Sequence, residues 1–120
     1  MKIRLFGDSI RLRLTQEEVA TLSKGGALES VIPFPGEALA CVVQPFDGPL
    51  EARHAASRIS VLVPQAETAR WAVSEEVGMY ATSLSGSGGP VRIIVEKDYN
   101  CIHKPDSPDN AGTFPNPIGA

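Results

Sequence analysis

The chain has 120 residues and a mass of 12.7 kDa, enough for one buried core and too little for two. Hydrophobic residues make up 42% and charged residues 21%, an ordinary globular balance, and no apolar run reaches the roughly 18 residues of a membrane span. The net charge of −3 excludes a protein coated with phosphate-binding cations, and two cysteines, Cys41 and Cys101, are too few for a disulfide framework.

The N-terminus, "MKIRLFGDSIRLRL", carries charges throughout and has no apolar signal-peptide region, so a cytoplasmic location is expected. Residues 2–6, "KIRLF", alternate apolar and basic, as do residues 10–14, "IRLRL". Two such runs around Gly7-Asp8-Ser9 predict a β-hairpin. Its outward residues are basic: Lys2, Arg4, Arg11 and Arg13 stand against Asp8 alone, so a basic hairpin sits on an acidic body. Thr15 with Glu18 three residues later is a capping box opening a short helix, with Val19 and Leu22 inward and Gly25-Gly26 as its end. Strands are predicted near 28–34 and 38–44, and "PFDGP" at 45–49 is a turn-rich break.

After that break the pattern restarts. Strands are predicted at 50–55 and 58–63, a helix opened by Pro64 over 64–74, and strands near 77–83 and 91–97 joined by the flexible "SGSGGP". A shift of 49 sets Arg4 on Arg53, Ile10 on Ile59, Gln16 on Gln65, Glu18 on Glu67 and Ala20 on Ala69, five identities in 19 aligned positions. Under the same shift Arg11 and Arg13 meet Ser60 and Leu62. The expected fold is α+β and mostly β: a duplicated ββαββ unit closing into a single pseudo-dimeric barrel with two short helices. The barrel domain spans 1–104, with pseudo-repeats 1–45 and 50–98, and 105–120 is a proline-rich extended tail. The expected core is Ile3, Leu5, Ile10, Leu12, Leu14, Leu22, Ile59, Val61, Val63, Trp71, Ile93 and Val95.

The opening Gly7-Asp8-Ser9, the strand from Ile10 to Leu14 and the helix from Thr15 resemble the swapped-hairpin domains of the AbrB and MazE kind. That resemblance implies a barrel built from interlocked hairpins and a DNA-binding regulator or antitoxin, with Arg4, Arg11 and Arg13 as the candidate DNA contacts. An antitoxin of this kind also holds a protein partner through its C-terminal tail. A second resemblance spans nearly the whole chain. "GDSIRLRL", "EEVG" and "VEKDYNCIH…FPNP" are similar to a family of short bacterial proteins with no assigned function.

"DYNCIH", residues 98–103, sets Cys101 and His103 on one face if the last strand continues. A thiolate and an imidazole suit zinc or another transition metal, and Asp106, Asp109, His54 and Cys41 are the further donors the chain offers. The plainer reading makes Cys101 a buried apolar side chain. No nucleophile elbow, phosphate loop or dinucleotide fingerprint is present, so a binding or assembly module is expected before an enzyme. Phe114 is the tail's one large anchor and is expected to pack back onto the body.

Overall fold

The computed structural model describes residues 1–83, 88–99 and 112–115. Strands β1 (Lys2–Phe6) and β2 (Ser9–Leu14) form the expected hairpin, with Leu5 opposite Ile10 and Arg4 opposite Arg11. Helix α1 (Gln16–Ser23) starts at the capping box. The Glu18 amide donates to Thr15 Oγ1 at 3.3 Å, and the Thr15 amide donates to Glu18 Oε1 at 2.9 Å. It ends in a Schellman arrangement, with Gly25 at φ +90°, its amide on the Leu22 carbonyl and the Gly26 amide on the Thr21 carbonyl. Strands β3 (Leu28–Ile32) and β4 (Leu39–Phe46) complete the first half.

The second half repeats the succession: β5 (Glu51–Ala55), β6 (Arg58–Pro64), α2 (Gln65–Ala72), β7 (Gly78–Ser83) and β8 (Val91–Lys97). Adding 49 to the bounds of β1 and α1 lands on those of β5 and α2. The pairing follows too: Arg4 faces Arg11 in the first hairpin and Arg53 faces Ser60 in the second. One sheet runs β1-β2-β8-β7, the other β3-β4-β6-β5. Each half therefore gives one hairpin to each sheet, and the halves are joined by the parallel pairs β2·β8 and β4·β6.

The expected closed barrel is not what forms. The ladders stop at the edge strands β1, β7, β3 and β5, and the two sheets meet through side chains. The inner strands already use both backbone edges to join the halves, which leaves the outer strands of each hairpin as sheet edges. Between the sheets lie Leu12, Leu14, Val43, Val61, Val63, Ile93 and Val95, all buried. Leu22 and Trp71, one from each helix, complete this core at one end, where α1 and α2 pack on each other.

Two further readings need correction. β4 continues through Pro45 and Phe46, where a break was expected. Pro45 pairs with Val63 on one side, while β3 reaches no further than Val43 on the other, so the missing proline N–H interrupts no second ladder. Leu5 was placed in the core but is 61% exposed, because it stands at the mouth of an open cleft between the sheets. Lys97 and Asp98 are buried although charged.

The buried charges secure the other end. Lys97 Nζ donates to the Ser74 carbonyl at 2.5 Å, past the C-terminus of α2, and lies over the rings of Trp71 and Phe114. Burial lowers its pKa from 10.5, partly offset by Glu76 and Glu75. Phe114 docks here as expected of an anchor. Its amide donates to the Asp98 carbonyl at 2.6 Å, its ring meets Tyr99 at 5.6 Å, and Gly112 accepts from the Gln16 amide.

Candidate functional site

The outward side of the first sheet gathers most of the chain's strand-borne cations. Alternation sends Lys2, Arg4 and Phe6 outward from β1, and Ser9, Arg11 and Arg13 outward from β2. The parallel pairing of β2 with β8 sets Arg92 beside Ser9, Ile94 beside Arg11 and Glu96 beside Arg13. Tyr80 of β7 sits opposite Ile94. The face is therefore a plane of five cations flanked by two aromatic rings, Phe6 at 66% and Tyr80 at 61% exposure.

Lys2 faces Arg13 and Arg4 faces Arg11 directly across the hairpin. Like charges at directly opposed positions destabilise a sheet, so this arrangement costs stability. Counter-ions offset it in part. Lys2 Nζ meets Asp98 Oδ2 at 2.8 Å, Arg92 Nη2 meets Asp8 Oδ1 at 3.0 Å, and Arg11 Nε reaches Glu96 Oε1 only at 3.5 Å. Glu96 also accepts from the Tyr80 hydroxyl at 3.3 Å. Burial, then Glu96, raises the Tyr80 pKa and keeps the phenol neutral. Arg4 lies 5.4 Å from the Phe6 ring centroid, and neither it nor Arg13 has an ion pair among the described residues. Among the described residues Asp8, Glu96 and Asp98 stand against five cations, so this set of side chains is positive by two. Two concavities of about 170 and 140 Å³ lie on it, and Arg4 and Arg11 line both.

Thus the three arginines singled out in the sequence share one face, and four more residues join them: Lys2, Phe6, Tyr80 and Arg92. Lys2 and Phe6 were legible as every second residue of the same strand. Arg92 and Tyr80 come from about 70 to 80 residues away in sequence, and the alternation within β8 does not announce which strand it joins.

The other sequence candidates fall elsewhere. Cys101, His103, Asp106 and Asp109 lie outside the described residues. His54 is exposed on β5, at the lip of a cleft of about 510 Å³ between the sheets. Leu5, Ile10, Leu39, Ile59 and Val91 line that cleft. It opens at the end with the hairpin turns, whereas Tyr99, the last described residue before Cys101, stands at the helix end. Cys41 is buried in the core, and burial raises its thiol pKa, so it is a small apolar side chain there. No group of three or more His, Cys, Asp or Glu side chains is placed to hold a metal ion among the described residues. No helix of the described residues is long and apolar enough to cross a membrane.

The chain matches no curated protein and no solved structure. Residues 1–118 match the profile of DUF7009, a family of unknown function, and the chain belongs to that family.

Proposed function

We propose that this protein is a non-enzymatic binding module that holds an anionic polymer on the outward face of its first sheet. One observation carries the reading: two like-charged pairs, Lys2–Arg13 and Arg4–Arg11, stand directly opposed across the hairpin, and Arg4 and Arg13 have no ion pair among the described residues. A bound polyanion converts that repulsion into attraction. The acidic balance of the whole chain is compatible with this, because exposed carboxylates such as Glu17, Glu37, Asp47, Glu67 and Glu75 lie off this face.

Heparin chromatography tests it. Wild-type protein is expected to be retained at low salt and to elute as salt rises, since each displaced counter-ion steepens the salt dependence. Arg4→Ala, Arg11→Ala and Arg13→Ala combined should flow through, while Arg53→Ala with Arg58→Ala, on the second sheet, should elute like wild type. Flow-through of the wild-type protein would sink the proposal.

The AbrB and MazE likeness and an internal duplication belong to the same reading. What supports them is the constant shift of 49 over two strands and a helix, and the repeated hairpin register. The pair Cys101 and His103 carries a second reading, a transition-metal site. Its support is that the parallel bridge between Tyr99 and Phe114 pins both ends of the segment containing them at one point of the body. Untagged protein is expected to carry about one zinc-class ion per chain that Cys101→Ala loses. Metal-free wild type, or an unchanged metal content in the variant, would end that reading.

A further inference from the structure

Resting on the anion-binding reading of the first sheet, we infer that its ligand is single-stranded nucleic acid, its backbone tracked by the arginines and its bases stacked on Phe6 and Tyr80.

The shape of the face argues against a duplex. Its four strands span about 14 Å between the axes of β1 and β7 at the usual interstrand spacing. The major groove is about 12 Å wide and takes one helix or a two-stranded ribbon, not four strands with side chains standing on them. Nor do the described residues hold a basic helix to insert. α1 and α2 pack on each other at the far end of the sandwich and expose Glu17 and Glu67. An open sheet face is instead a platform on which an unpaired strand can lie with its bases splayed.

The rings supply what such a strand needs. Phe6 and Tyr80 are more than half exposed, which a sheet face gains nothing from in water. Every base has a π-face, so exposed rings beside cations take up unpaired bases with little regard to sequence. Arg4 over Phe6 makes a second stacking plane at the same point. The neutral phenol of Tyr80 adds no charge to oppose a phosphate. The cations also repeat as a track. Lys2 with Arg13, Arg4 with Arg11, and Ser9 with Arg92 form successive rows two residues apart, about 6.7 Å along the strands. The two concavities fall between these rows and share Arg4 and Arg11. A plain polyanion would use the track and ignore the rings; a single strand uses both.

Fluorescence anisotropy with labelled oligo(dT) of about twelve nucleotides, the same strand annealed to its complement, and heparin as competitor makes the separation. Wild type is expected to bind oligo(dT) at least roughly tenfold tighter than the duplex, with affinity falling steeply with salt. Phe6→Leu with Tyr80→Leu, which keeps apolar bulk at exposed positions, should weaken oligo(dT) by roughly tenfold or more and heparin by far less. Arg4→Ala with Arg11→Ala should weaken both ligands and flatten the salt slope. Circular-dichroism melting confirms that each variant is folded. Heparin binding with no oligo(dT) binding, equal affinity for duplex, or insensitivity to the Phe6/Tyr80 pair would overturn this inference and leave the anion-binding face standing. Failure to bind either ligand would remove both.

Discussion

The two sheets are alike where they face each other and unlike where they face solvent. Inside, Ile10 and Ile59, Leu12 and Val61, Leu14 and Val63, and Leu22 and Trp71 occupy equivalent places, and Leu12 pairs with Val95 as Val61 pairs with Val43. Outside, Lys2 answers to Glu51, Phe6 to Ala55, Arg11 to Ser60 and Arg13 to Leu62. The second face has Arg53 held by Glu51 at 2.6 Å and no row of opposed cations. Packing accounts for the inside, because any side chain there must fill space at near-crystalline density. It sets no such condition outside. Five cations and two rings on one face, against a near-neutral face on a sheet of the same design, therefore point to a role for the first face that stability does not explain. The second sheet is the internal control for every claim about the first.

The largest expected effects test the likeness of the interiors. Trp71→Ala should cost about 3–5 kcal/mol and Leu22→Ala about 2–5 kcal/mol in urea unfolding, since both side chains are fully buried where the helices meet. A loss below about 1 kcal/mol at Leu22 would break the equivalence. The hairpin turns offer a smaller contrast. Gly7 takes φ +56° freely, but its counterpart Ala56 and the next residue, Ser57, sit at φ +50° and +58°. Ala56→Gly should therefore raise stability by about 1 kcal/mol, relieving left-handed strain that the first turn lacks. An unchanged or lower melting midpoint would show that the strain is not there.

The smallest effect concerns the helix end. Lys97 is buried on the first sheet, and burial holds its pKa below the ordinary 10.5. In the window between that lowered value and 10.5 the unfolded chain holds the proton that the folded chain has released, so this group's contribution to stability rises with pH. Measured against Lys97→Met, wild-type stability should improve as pH climbs through that window. A difference that stays flat or shrinks would mean that the ammonium over Trp71 and Phe114, bonded to Ser74, is as well accommodated as in water.

Much of the architecture was legible because its signals are local. The capping box at Thr15 and Glu18, the Gly25-Gly26 stop and the two alternating hairpins each depend on residues within a few positions of one another. The break read at Pro45 failed because a proline is disruptive only where its N–H is needed, and that depends on how far β3 runs. Leu5 failed for a related reason: alternation tells which side a residue takes, and the cover on that side is a property of the other sheet. Of the candidate face, Arg4, Arg11 and Arg13 could be read from one hairpin. Arg92, Ile94 and Tyr80 could not, because a parallel pair such as β2·β8 joins strands with no turn between them to mark the partnership.

By itself, then, the sequence determined the eight strands and two helices of the described residues and the side each strand turns inward, since periodicity and capping act within a turn or a pleat. The tertiary structure decided that the hairpins make two open sheets instead of a barrel. It also decided that a lysine is buried under two rings and that cations from opposite ends of the chain share one face. Those outcomes rest on long-range pairing and on what covers what, and no local pattern carries that information.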